Sequence, residues 1–229
     1  MPWTLIDTAT EHDAVLELYR KDGIFMIRAN GLELMNGFHH ESESALGHRA
    51  AQVAPSRAPR ILVGGLGLGY TIAALTDALG PGGIITVAEL AGSVIDWFQR
   101  YVRPMVMPMA QANLRIVHAD VMALLAARER YDVVVLDVDN GPQPLVTESN
   151  AALYAPVGLA ALHACLAENG VALLWSGFES DAFAARAKSA GFTVTCEPIR
   201  RMRADLSHFI YVLAKNPGAG HSSRVNIKN

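Results

Sequence analysis

The stretch that most constrains this chain is Arg60-Ile61-Leu62-Val63-Gly64-Gly65-Leu66-Gly67-Leu68-Gly69-Tyr70. A short apolar run reads as a buried strand, and it flows directly into glycines. Apolar residues at helical spacing follow over 71–79, which places the glycines in a strand-to-helix turn. Such a turn is tight, and its backbone comes too close to a ligand to leave room for side chains. The exposed N–H groups at the helix start favour polar or anionic ligand groups. A dinucleotide fingerprint beginning at Gly65 needs a third glycine at position 70, and that residue is Tyr70. The loop Gly64, Gly65, Gly67, Gly69 is instead the shorter kind that holds a nucleoside without a pyrophosphate.

Glu89 is the next landmark. It ends a second apolar, β-branched run over 83–88, about 20 residues beyond the glycine loop, where a ribose-binding acid is expected. A carboxylate accepts hydrogen bonds from two neighbouring ribose hydroxyls, which gives both affinity and orientation. A first-turn helix acid, favoured by the dipole, would look the same in isolation. The loop and the acid together point to a nucleoside site.

From Arg60 onwards strands and helices alternate, the signature of a mostly parallel sheet covered on both faces. Strands are predicted at 61–63, 84–88, 114–118, 131–136 and 171–175, with an antiparallel edge pair at 192–197 and 209–214. Helices are predicted at 71–79, 93–101, 121–129, 154–168 and 181–189, and the methionine-rich 105–109 reads as irregular. The expected architecture is α/β and Rossmann-like, with seven strands. In open α/β sheets ligands bind beyond the carboxyl ends of the strands. The glycine loop, Glu89, Asp120 and Asp137 all stand at such ends. Asp120 is placed to accept a hydrogen bond from an adenine amino group, and Asp137 and Asp139 to face a second substrate. Asp139-Asn140-Gly141-Pro142 also has turn composition, but a turn does not account for Asp137 at the end of an apolar strand.

The chain before Arg60 reads differently. Strand-like runs at 14–19, 24–28 and 32–35 are separated by Lys21-Asp22-Gly23 and Asn30-Gly31, which are hairpin turn signals. They predict a small antiparallel β meander over about residues 3 to 37, placed either over one end of the main sheet or at a homodimer contact. Residues 1–54 form this meander with a substrate-side helix at 44–53, residues 55–215 the nucleoside-binding catalytic domain, and 216–229 a disordered tail. His39 and His40 beside Glu41 raise a metal site, but adjacent residues rarely reach one ion and no second ligand set has metal spacing, so no metal is expected. A substrate-entry loop fits them better. Arg200-Arg201-Met202-Arg203 reads as a solvated connection or an attractor for an acidic substrate.

At 229 residues and 51% hydrophobic, the chain suits one domain with a full core. No apolar segment is long enough to span a bilayer, and Met1-Pro2-Trp3-Thr4 opens no basic region followed by an apolar core, so no signal peptide is expected. Cys165 and Cys196 sit among apolar residues and read as reduced thiols of a cytoplasmic protein. A net charge of −3 gives no support for a nucleic-acid partner.

Taken together, the strand meander, Leu62-Val63-Gly64-Gly65, Glu89 followed by Val94-Ile95-Asp96, His118-Ala119-Asp120 and Tyr131-Asp132-Val133-Val134-Val135-Leu136-Asp137 resemble the spermidine synthase-like branch of the class I S-adenosylmethionine-dependent transferases, from about Leu16 to Leu213. The resemblance implies S-adenosylmethionine or its decarboxylated form as donor and a small-molecule acceptor, an amine in the aminopropyltransferases. It implies that Glu89 holds the ribose, that Asp120 and the adjacent Val121 lie near adenine, and that Asp137 orients or deprotonates the acceptor. The chain departs from the aminopropyltransferases at Gly67, where they carry an aspartate, and at Asp137-Val138-Asp139-Asn140-Gly141, where they carry D-S-S-D-P. The loop after that motif looks shortened, with no clear counterpart of their channel tyrosines. The leading expectation is methyl transfer to a small-molecule nucleophile, ahead of aminopropyl transfer or a non-catalytic nucleoside sensor.

Overall fold

The computed structural model describes residues 2–56, 58–107, 113–127, 129–138, 150–200 and 207–215. Asp139, the Asn140-Gly141-Pro142 turn, the end of the methionine-rich segment, the Arg201–Arg203 cluster and the 216–229 tail lie outside them.

The chain opens with four antiparallel strands, β1 (Thr4–Glu11), β2 (Ala14–Lys21), β3 (Ile24–Ala29) and β4 (Leu32–Asn36), paired in chain order. The predicted turns are tight hairpins: Asp22 and Gly23 have φ of 51° and 84°, Asn30 and Gly31 51° and 77°. The separate strand β1 was not apparent in the sequence, because its turn is made by His12 and Asp13 at φ 50° and 62° with no glycine to mark it.

Helix α1 (Glu41–Val53) then leads to the main sheet: β5 (Arg60–Gly64), β6 (Ile84–Glu89), β7 (Leu114–His118), β8 (Tyr131–Leu136), β9 (Leu166–Ser176), β10 (Phe192–Arg200) and β11 (Ser207–Lys215). Its seven strands run in the order β10-β11-β9-β8-β5-β6-β7, parallel from β9 to β7, with β11 antiparallel to both neighbours. The α/β expectation is therefore met, and β5 pairs with β6 on one side and β8 on the other, the switch point of such a sheet.

Alternate residues of the central strands feed two cores. Ile61, Val63, Val133 and Val135 join one that includes Leu46 of α1 and Ile72 of α2 (Tyr70–Leu79). Leu62, Val134 and Leu136 join the other, with Leu159 of α7 (Pro156–Cys165) and Phe183 of α8 (Asp181–Ser189). The first core also takes in Leu16, Leu18, Phe25 and Ile27, so the inner face of the N-terminal sheet packs into the main one. A bidentate pair from Arg49 to Glu197, at 2.9 and 2.8 Å, joins α1 to β10.

Several boundaries differ from expectation. The helix predicted at 93–101 continues as α3 (Gly92–Trp97), a π-helical turn (Phe98–Val102) and α4 (Arg103–Val106), taking in Met105 and Val106. Pro104 cannot supply the N–H of an unbroken α ladder, and the π turn just before it changes the register. Helix α5 (Val121–Ala126) stops short of Glu129. The helix predicted at 154–168 is split into α6 (Ala151–Tyr154) and α7, and β9 starts at Leu166. Leu166 pairs with Tyr131 and Val171 with Val133, so 167–170 bulge outward. Leu166, Ala167 and Glu168 are good helix formers, but burying Leu166 completely in the sheet core overrides that preference.

Helices α1 and α2 touch at Gly47, where a Cβ would stand 2.3 Å from the Thr71 carbonyl oxygen. Gly47→Ala is expected to force the helices apart and cost about 1–3 kcal/mol in urea unfolding.

Candidate functional site

One cavity opens at the carboxyl edge of the main sheet, under the N-terminal sheet. Gly65, Gly67, Glu89, Asp120, Val121 and Asp137 all line it, so the structure brings together most of the residues singled out from the sequence. Gly64 and Gly69 lie behind it, and packing keeps them small. A Cβ on Gly64 would meet Val121 Cγ2 at 2.8 Å, and one on Gly69 would meet the Phe98 ring at 2.3 Å.

The loop is glycine-rich for reasons internal to the fold. Gly65 sits at φ 92°, and a Cβ there would stand 2.1 Å from the backbone oxygen of Asp137. The end of β8 thus presses directly on the loop after β5, and the Asp137 N–H donates to the Gly64 carbonyl at 2.8 Å. On the other side Glu89 accepts from Leu66 N–H through Oε2 at 2.8 Å and from Ala91 N–H through Oε1 at 2.9 Å. Each carboxylate oxygen keeps a further lone pair, which suits a diol ligand. Asp120 caps α5, with Oδ1 accepting from Met122 N–H at 2.8 Å, which leaves its other oxygen uncommitted.

Asp137 has the most unusual setting. Thr71 Oγ1 donates to its Oδ2 at 2.6 Å. Asp137 is a half-buried residue of the cavity lining, and burial pushes its carboxyl up to about 7, helped by the negative charge of Glu43 and opposed by the Thr71 bond. Glu43 belongs to the first turn of α1, accepts from Ser42 Oγ at 2.5 Å, and also raises the Tyr70 hydroxyl after burial has done so. Neither Glu43 nor Thr71 was apparent as a site residue in the sequence. A first-turn acid and a helix threonine are ordinary locally, and only the α1–α2 packing aims them at β8.

The cavity's opposite wall also escaped notice, since it comes from the N-terminal sheet: Glu11, His12, Leu16, Ile27, Leu34 and Met35. Met35 is so close to the loop that a Cβ on Gly67, at φ 50°, would stand 2.7 Å from its Sδ.

His40 stacks flat on Tyr70, with centroids 4.0 Å apart and planes 5° from parallel, and its Nδ1 lies 3.0 Å from Ser44 Oγ. Its place is to hold the start of α2, while His39 is exposed. Among the described residues no group of three or more His, Cys, Asp or Glu side chains is arranged to hold a metal.

The fold is a Rossmann-like α/β fold extended by an N-terminal antiparallel sheet. No known family profile matches the chain, and no curated protein matches it in sequence. It is similar to a spermidine synthase solved in complex with the transition-state analogue AdoDATO, with a TM-score of 0.71 at 14% identity over 93% of this chain and 72% of that one. The spermidine synthase of Thermotoga maritima gives the same figures. A probable spermidine synthase from Corynebacterium glutamicum ATCC 13032 gives 0.65 at 20% identity, over 91% and 79%. At these identities the likeness is one of fold.

Removing the Thr71 hydroxyl takes away the bond that stabilises ionised Asp137. Thr71→Val is expected to raise the Asp137 carboxyl above about 7, read as a carbon-13 titration of that side chain.

Proposed function

We propose that this chain is a transferase that moves a carbon group from an adenosyl sulfonium donor to an amine acceptor. The observation that carries the reading is a single cavity in which Asp120, Glu89, the glycine loop and Asp137 stand at the ends of adjacent strands β7, β6, β5 and β8. Strand ends lie about 4.8 Å apart. A nucleoside with its ribose on Glu89 and its base toward Asp120 and Val121 carries its 5′ substituent over Gly65 and Gly67, beside Asp137. A sulfonium carbon is already electrophilic, so the protein has to align the nucleophile and keep water out. An amine attacks only as the free base, and a carboxylate poised near neutrality is matched to take its proton. Asp137 is assigned that role. Asp139, two residues on, is kept as its companion.

Aminopropyl transfer from decarboxylated S-adenosylmethionine is the first form of this reading, supported by the spermidine synthase fold and by the neighbour that holds AdoDATO. Methyl transfer from S-adenosylmethionine is the second. Gly67 supports it, because a loop without the aspartate of the aminopropyltransferases does not repel the donor's own carboxylate. The proposed setting is cytoplasmic, with a homodimer as the working assembly and no nucleic-acid partner.

The deciding experiment incubates the protein with each donor and a panel of mono- and diamines, and identifies the nucleoside product by mass spectrometry. Methylthioadenosine establishes aminopropyl transfer, and S-adenosylhomocysteine methyl transfer. Tight donor binding with neither product establishes a sensor and overturns the transferase.

Turnover is expected to rise with pH through about 7 and level off above it, as Asp137 ionises. Asp137→Asn is expected to lose turnover by about 100-fold or more while donor affinity is nearly unchanged. Equal losses in both would overturn the base assignment. The linkage runs the other way for stability. A carboxyl held at about 7 when folded and 3.8 when unfolded favours the fold in its protonated form, so that contribution fades as pH rises across this interval. The Asn variant is expected to lack that decline in urea unfolding.

A further inference from the structure

Two carboxylates share the ribose end of the cavity, and they use consecutive backbone amides. Glu89 accepts from Ala91 N–H at 2.9 Å; Glu11, from the end of β1, accepts from Gly92 N–H at 2.8 Å and Ser93 N–H at 2.7 Å. Both acids line the cavity. Three successive donors at the start of α3 are therefore spent on the protein's own acids. Strand β1 is held over this segment by two further bonds. His12 Nε2 lies 3.2 Å from the Leu90 carbonyl, and Trp97 Nε1–H donates to Asp7 at 2.9 Å. Burial works against the charge on Glu11, but the bonds from Ser93 and Gly92, with His118 nearby, outweigh it and hold the carboxyl below its ordinary range. Glu11 is thus ionised at neutral pH.

We infer that Glu11 determines nucleoside specificity: with Glu89 it builds a doubly acidic wall that admits a free 2′,3′-diol and rejects a ribose bearing a 2′- or 3′-phosphate. The inference rests on the assignment of Glu89 to the ribose, and adds the class of nucleotide that the site turns away. A ribose hydroxyl has a proton to donate to a carboxylate lone pair, whereas a phosphate brings only acceptors and a second negative charge. Nothing in the local sequence of β1 announces this role, since Glu11 reaches the segment from 81 residues away.

The test measures the affinities of adenosine, adenosine 2′-monophosphate and adenosine 3′-monophosphate by calorimetry, for wild type, Glu11→Gln and His12→Ala. Wild type is expected to prefer adenosine by about tenfold or more, and Glu11→Gln to reduce that preference by about tenfold. His12→Ala removes a docking contact of β1 without removing the acid, so the preference should survive even where both affinities fall. A wild type that binds adenosine and the monophosphates alike, or a Glu11→Gln protein with the full preference, overturns the inference alone. Failure of wild type to bind adenosine or S-adenosylhomocysteine overturns the functional reading itself, and this inference with it. Should Glu11→Gln not fold, wild type decides: a charge-based preference must weaken as ionic strength rises, and one indifferent to salt overturns the inference.

Discussion

The Glu89 carboxylate is the interaction on which the site's geometry depends. Its two oxygens accept from Leu66 N–H in the loop after β5 and from Ala91 N–H ahead of α3. One side chain thereby fixes the glycine loop and the turn after β6 relative to each other. Because the acceptor is charged, each bond is stronger than a neutral one, and its partners are backbone, which has little freedom to drift. On the far side the loop is pressed against Asp137 by direct backbone contact, with no side chain between them. Glu89, the glycine loop and Asp137 are thus parts of one rigid edge, as the proposed displacement between two aligned substrates requires.

The N-terminal sheet is as much a part of the site as the main sheet. Its apolar inner face contributes Leu16 and Ile27 to the shared core and to the cavity wall at once. Met35 closes over Gly67, and Glu11 reaches the start of α3. The same packing brings α1 against α2, which aims Thr71 at Asp137 and sets Glu43 near it. A buried carboxyl beside a second acid is held partly protonated near neutrality, a state suited to exchanging a proton with an amine.

Much of this was legible along the chain, because it depends on local rules. Apolar runs marked β5 and β8, the Asp22-Gly23 and Asn30-Gly31 turns marked two hairpins, and glycine spacing marked the loop. The place of Glu89, Asp120 and Asp137 at the carboxyl ends of β6, β7 and β8 then follows from the topology. What escaped has a common cause. The His12-Asp13 turn carries no glycine, Leu166 leaves a helix-forming run for the sheet core, and Pro104 is absorbed by a π turn. In each case tertiary packing outweighed a local preference worth a fraction of a kcal/mol to a few kcal/mol per residue.

The sequence by itself determined the α/β class, the strand-loop-helix unit and the acids Glu89, Asp120 and Asp137, since hydrophobic period and strand-end position are properties of short segments. Only the tertiary structure decided that Gly64 and Gly69 serve packing while Gly65 and Gly67 face the cavity, that His40 supports Tyr70, and that Glu11, Thr71 and Glu43 join the site. Those assignments rest on contacts between elements distant in the chain. Burial, charge and hydrogen-bond partners there are set by what packs opposite a residue, and no spacing along the chain encodes that.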